Sequence, residues 1–211
     1  MDKVCYIVGA GNFDTKVIDI KEQDYVIAAD GGYNHLEKLG IAPDILIGDF
    51  DSITEIPSNV EIVKHPKQKD ETDMMLAVET GFEMGFNCFV IYGGLGGRLD
   101  HTMANIQTLN DISNKGSKAF LVGDGMVITA VTNGEIEVKG KEGVYISVFC
   151  IQDEAKGVYL KNLKYPLVNA TITSKIPIGV SNEFTNNVAK IRVDNGTLIV
   201  MWYESDFIVD R

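Results

Sequence analysis

The 211-residue chain is short of cysteine, of basic side chains and of long apolar stretches, and each shortage removes a class of function. Its three cysteines, Cys5, Cys88 and Cys150, stand far apart, each in an apolar run, without a Cys-x-x-Cys pair or an even count. That pattern offers no disulfide framework and reads as buried thiols in a reducing compartment. Lys and Arg number 19 against 30 Asp and Glu, a formal net charge of −11. Such a surface repels nucleic acid and anionic membranes, so neither is expected as a partner. No apolar run approaches the roughly 18 residues of a membrane span, and the amino-terminal run breaks at Gly9, too early for a signal peptide. A cytoplasmic protein is the expectation.

Several catalytic signatures are missing as well. There is no Gly-Lys-Ser/Thr ending to any glycine loop, no His-Glu-x-x-His, and no Ser-His-Asp order. Gly9-Ala10-Gly11 starts a dinucleotide fingerprint that fails at its third glycine, where Asp14 stands. His35, His65 and His101 are isolated and read as surface or cap residues. Neither an internal repeat nor a low-complexity segment is present.

What remains is 45% hydrophobic residues, arranged in two rhythms. Up to about residue 124, short apolar runs (4–8, 25–29, 45–47, 60–63, 88–92 and 119–122) alternate with helical periods at 33–39, 71–84 and 101–115. The second helix is expected to turn Met75, Leu76, Val78 and Phe82 inward, with Asp70 as its N-cap and Asp73 at N3. This alternation predicts an α/β domain with a mostly parallel sheet. Beyond it, strand-like segments are broken by turns at Asn133-Gly134, Lys141-Glu142-Gly143 and Asp194-Asn195-Gly196, which predicts a smaller antiparallel β-sandwich. The expected domains are 1–130 and 131–211. Nearly all the net charge, −10 of −11, falls in the first.

Ligands of open parallel sheets bind beyond the carboxyl ends of the strands, and here those ends are acidic and glycine-rich. Asp30-Gly31-Gly32 follows the second run, Asp49 and Asp51 the third, Asp70 and Asp73 the fourth, and Gly93-Gly94-Leu95-Gly96-Gly97-Arg98-Leu99-Asp100 the fifth. Asp49 and Asp51, two apart on an extended chain, project to one side and suit a shared hard cation. Glycines ahead of a helix let backbone N–H groups approach phosphate, and Arg98, the only arginine before residue 130, suits phosphate charge. Each element also has a plainer reading as turn or cap. Together they describe metal-assisted transfer of a phosphate group, with an Asp-x-Asp nucleotidyl- or glycosyl-transferase, or a non-catalytic nucleotide-binding module, as alternatives.

At these residues the sequence resembles bacterial thiamin pyrophosphokinases. The resemblance rests on AADGGYNHL (28–36), PDILIGDFDSI (43–53), KDETDMMLA (69–77), GGLGGRLDHTMANI (93–106), YPL (165–167) and SNEF (181–184), in the family's order through nearly the whole chain. It implies transfer of the pyrophosphoryl group of ATP to the hydroxyl of thiamin, giving thiamin diphosphate and AMP with Mg²⁺. A homodimer with sites between subunits is implied too. By motif position, Asp49, Asp51 and Asp73 hold the metal, with Arg98 completing the catalytic set. Asp30, Gly31, Gly32, Asp70, Gly93, Gly94, Arg98 and Asp100 form the nucleotide side, and Ser181 with Asn182 meets thiamin. Trp202, the single tryptophan, reads as sandwich core rather than as a ring platform.

Overall fold

The structure, a computed structural model, describes residues 3–14, 18–50, 60–64, 72–204 and 207–210. Contacts divide the chain into two units, Met1–Thr108 with Ala119–Asp124 and Phe207–Arg211, and Leu109–Lys118 with Gly125–Asp206.

In the first unit each apolar run of the sequence becomes a strand: β1 (Cys5–Val8), β2 (Tyr25–Ala29), β3 (Ile45–Gly48), β4 (Glu61–Lys64), β5 (Cys88–Tyr92) and β6 (Lys118–Gly123). Their order is β6-β5-β1-β2-β3-β4. The pairs β5-β1, β1-β2, β2-β3 and β3-β4 are parallel. Strands β1, β3 and β5 are buried at every position, because helices must cover both faces of a parallel sheet and no residue is left to face water. The chain moves outward from β1 to β4 and then returns to the other side of β1 as β5. The direction of travel therefore reverses at β1, and the crevice beyond its carboxyl end is where such a sheet binds ligands.

Three helices connect these strands: α1 (Tyr33–Leu39), α2 (Asp73–Glu83) and α3 (Leu99–Asn114). The first has the limits that the sequence periodicity predicts and stops at Gly40, whose left-handed backbone (φ 67°) closes the last turn. In α2 two expectations are corrected. Its cap is Thr72, whose Oγ1 accepts from the Met75 amide at 3.2 Å, so Asp73 opens the helix instead of sitting at N3. Asp70 lies outside the described residues. Its buried face runs through Met74, Ala77, Val78 and Gly81, with Leu76 beside them, while Met75 is 37% exposed. The 3.6-residue period places Met74 with Val78 and Gly81 on one stripe, a quarter turn from Met75. Burial of Met74, Leu76 and Val78 contributes about 1.5–3 kcal/mol each, more than the roughly 1 kcal/mol of the Thr72 cap, so packing decides that this helix forms and the cap decides where it starts.

The second unit is antiparallel. Strands β7 (Met126–Thr132), β9 (Tyr145–Cys150), β12 (Asn182–Glu183) and β14 (Thr197–Tyr203) run in the order β12-β9-β14-β7. Strands β8 (Glu135–Lys139), β10 (Glu154–Lys161), β11 (Leu167–Thr173) and β13 (Val188–Arg192) form a separate sheet, β11-β10-β13-β8. Burial alternates along β9 and β10, as it must when one face of a strand meets the core and the other meets water. Trp202 is 3% exposed in the central strand β14, and its Nε1 donates to Glu204 at 3.0 Å, so it belongs to the core as its apolar run suggests. The mixed α/β and antiparallel class predicted from the two rhythms is the class observed. Among the described residues no helix is long and apolar enough to cross a membrane, and all three cysteines are buried thiols.

Candidate active site

A pocket of about 410 Å³ opens where β1, β2 and β5 end. Four chain segments build it. Residues 9–12 follow β1, Ala29 and Asp30 close β2, Thr72, Asp73 and Met74 begin α2, and the loop from Gly93 to Arg98 leads into α3, which adds His101, Ala104 and Asn105.

The two glycine loops lean on each other before they face any ligand. Gly9 N–H donates to the Tyr92 carbonyl and Gly11 N–H to the Gly93 carbonyl, both at 2.8 Å. A Cβ on Gly93 would lie 2.2 Å from the Gly9 oxygen, so glycine here is demanded by backbone-to-backbone packing. Gly97, in contrast, has positive φ (65°), is exposed on the pocket lining, and would bring a Cβ no nearer than 4.0 Å to Asn12 Oδ1. Asn105 is buried, and its Nδ2 donates to the Gly94 carbonyl at 2.8 Å, tying the loop to α3.

Groups of both signs line the pocket: Asp30 and Asp73 contribute carboxylates, and Arg98 and His101 contribute side-chain nitrogens. The first turns of α2 and α3 also adjoin it, and helix amino termini favour anions. Asp30 has left-handed backbone (φ 46°) inside a 3₁₀ turn, an unusual conformation for an aspartate at the edge of a site. A Cβ at Gly48 would lie 3.1 Å from the Asp30 Cα, which sets the β3 end, and hence Asp49, beside Asp30.

The sequence-derived residues fall into three groups. Asp30, Asp73, Gly93, Gly94 and Arg98 line the pocket. Asp49 is half-buried at the end of β3, outside the lining, while Asp51 and Asp70 lie outside the described residues. Gly31 and Gly32 are buried in the 3₁₀ turn, and a Cβ on Gly32 would come within 1.8 Å of the Val8 carbonyl, so its smallness serves the strand contact. Asp100 is exposed and off the lining. Its two oxygens accept from Arg98 Nε (3.2 Å) and Nη2 (2.5 Å). These bonds hold the Asp100 carboxyl below its usual range and push the Arg98 guanidinium up.

In the second unit, Ser181 is exposed with positive φ (54°), and its N–H donates to Ser147 Oγ at 3.1 Å. Asn182 is 3% exposed. Its Oδ1 accepts from the Tyr165 and Glu183 amides at 2.9 Å each, and its Nδ2 donates to the Tyr165 carbonyl at 2.8 Å. The amide therefore clamps the backbone of the YPL segment.

Sequence reasoning passed over residues 9–12, Thr72, His101 and Asn105. A signal existed for two of them, since His101 and Asn105 stand four apart on one side of α3, which begins just after Arg98. Residues 9–12 carry no local signal of their own, because a Gly-x-Gly pair without its third glycine matches no phosphate-binding pattern.

Among the described residues no cluster of three or more His, Cys, Asp or Glu gathers as a metal site. Two carboxylates on one pocket nevertheless match Mg²⁺, a hard cation that takes one or two carboxylates and completes its shell with phosphate oxygens and water.

Comparison with known proteins gives one answer. Residues 19–121 match the family described as "Thiamin pyrophosphokinase, catalytic domain" and residues 134–198 match "Thiamin pyrophosphokinase, vitamin B1 binding domain". Thiamine pyrophosphokinase of Bacillus subtilis is 32% identical over 183 residues, covering 83% of this chain and 85% of that protein. Thiamin pyrophosphokinase 1 of Caenorhabditis elegans is 29% identical, covering 77% of this chain and 72% of its own length. A crystal structure of the Bacillus subtilis thiamine pyrophosphokinase superposes with a TM-score of 0.86 at 28% identity, over 97% of this chain and all of that one.

Proposed function

The chain belongs to the thiamin pyrophosphokinase family, and from that premise we propose how its own residues carry the reaction. It is an enzyme that transfers the pyrophosphoryl group of ATP to thiamin. The carrying observation is the pocket at the ends of β1, β2 and β5, whose lining gathers two carboxylates, an arginine, a glycine loop and the first turn of α2. Membership in the family displaces the nucleotidyl- or glycosyl-transferase and the non-catalytic module.

In our reading the triphosphate of ATP lies along residues 93–98. The Gly97 peptide and the α3 amino terminus face its oxygens, and Arg98 draws charge from the transferring group. Asp30 and Asp73 would hold Mg²⁺, as Asp49 and Asp51 would by motif position, and the ion would supply positive charge against the phosphate oxygens. The thiamin hydroxyl oxygen attacks the β-phosphorus as the bridge to the α-phosphate breaks. AMP leaves with the bridging oxygen, and the hydroxyl proton is lost to solvent or to a carboxylate of the pocket. Positioning and charge stabilisation supply most of the rate, as is general for phosphoryl transfer. Residues 1–130 form the catalytic domain and 131–211 the thiamin-binding and dimerising domain, with Ser181 reaching thiamin. The enzyme works as a homodimer in the cytoplasm, consistent with its three buried thiols.

The test is a product assay with ATP, Mg²⁺ and thiamin. AMP is expected to accumulate in step with thiamin diphosphate, and chelation by EDTA to stop both. Stoichiometric ADP would overturn attack at the β-phosphorus, and turnover undiminished by EDTA would overturn the metal assignment.

A further inference from the structure

His35 stands on α1, off the pocket lining, yet it reaches the pocket wall. Its Nε2 lies 3.0 Å from the Gly11 carbonyl oxygen. Because a carbonyl only accepts, the imidazole donates through an Nε2 proton. The ring is fixed from its face by Phe13, stacked at 4.8 Å with planes 9° apart, and Phe13 in turn meets Tyr92 edge-on at 6.1 Å. Both peptides that flank the Gly11 Cα are thus gripped: the Gly11 N–H bonds to the Gly93 carbonyl, and the Gly11 C=O bonds to His35. There is no slack, since a Cβ on Gly11 would lie 2.5 Å from the Gly93 oxygen.

We propose that His35 is a positioning residue for the nucleotide-facing wall, holding the Gly11 carbonyl turned away from the pocket that residues 9–12 line. This inference rests on the reading that the pocket takes the phosphates of ATP. The physical need is plain. A carbonyl oxygen facing a triphosphate repels it, and in a pocket that already carries Asp30 and Asp73 it would add to the negative side of the balance. The neighbouring carbonyls are held in the same manner, Tyr92 by Gly9, Gly93 by Gly11 and Gly94 by Asn105. Of these donors His35 is the one that acts from outside the pocket, through another residue's backbone.

The experiment separates the hydrogen bond from the ring stack. His35→Phe keeps a ring against Phe13 and loses the donor, whereas His35→Gln keeps an amide donor and loses the ring. The ATP KM of His35→Phe should exceed that of His35→Gln by up to about tenfold, the worth of one half-buried hydrogen bond, with thiamin KM within twofold of wild type in both. Equal ATP KM values in the two variants, impaired or not, overturn the proposal. A matching rise in thiamin KM does so too, because a general structural defect moves both. Should His35→Phe not fold, His35→Ala is titrated with ATP with and without imidazole. Recovered affinity supports the donor role, and none overturns it. Wild-type enzyme in the same assay judges the ATP reading separately: a wild type that makes thiamin diphosphate beside indistinguishable variants sinks only the role of His35.

Discussion

Arg98 and Asp100 meet through a two-point fork where the glycine loop enters α3, Nε to Oδ1 at 3.2 Å and Nη2 to Oδ2 at 2.5 Å. Arg98 lines the pocket and Asp100 does not. Both side chains are well exposed, so water screens the pair and its contribution to folding is small. It orients the guanidinium: the carboxylate occupies one edge, Nε and Nη2, so under the proposed function the rest would serve phosphate.

Arg98→Lys should therefore lower kcat more than it raises the ATP KM, because an ammonium cannot be gripped by Asp100 and offer parallel donors at once. Asp100→Asn should lower kcat/KM for ATP by about tenfold while leaving the melting temperature unchanged, which steady-state kinetics and calorimetry check.

The same pair makes a pH prediction. Asp100 is held below the usual carboxylate range by the Arg98 bonds, so its contribution is present at and above that range and lost as pH falls through the lowered value. Between pH 6 and 9 both partners stay charged. The shape of the kcat/KM profile in that window should be the same for Asp100→Asn and wild type. A new inflection in the variant would mean that the pair titrates there.

Thr72 and Asp73 are adjacent but separable. Thr72→Ala removes the cap of α2 and should cost about 1 kcal/mol of stability, read by denaturant unfolding. Asp73→Asn keeps the cap, loses about 0.3–1 kcal/mol of helix-dipole interaction, and should lower turnover by at least ~10²-fold at saturating Mg²⁺. Near-normal turnover would return Asp73 to the helix end alone.

In the second unit the two neighbours of the SNEF motif should part company. Asn182→Ala strips the Tyr165 backbone of both its partners and should destabilise the protein by about 2 kcal/mol or more. Ser181→Ala should leave stability within about 0.5 kcal/mol and raise the thiamin KM. An Asn182→Ala enzyme of full stability would contradict the clamp.

Local sequence preferences suffice for most of the elements and their kind. Helix α1 spans 33–39 as its period requires, β5 spans 88–92, and the turns at Asn133-Gly134 and Asp194-Asn195-Gly196 separate antiparallel strands. These follow from local preferences: apolar spacing, turn chemistry and the left-handed freedom of glycine. Motif order also carried the family, and with it Asp30, Asp73 and Arg98 as pocket residues. Local spacing misplaced what depends on competition between neighbours. Asp70 and Thr72 both suit a cap, and the threonine hydroxyl reaching the Met75 amide decided it. Only the tertiary structure brought residues 9–12 against Gly93, more than 80 positions away. That contact exists because β1 pairs with both β2 and β5, and a strand's choice of partners is set by the burial of the whole sheet, which no short window of sequence contains. It likewise spent the Asn182 amide on Tyr165 and turned the His35 imidazole onto Gly11, since a polar side chain takes whichever backbone group the fold delivers to it.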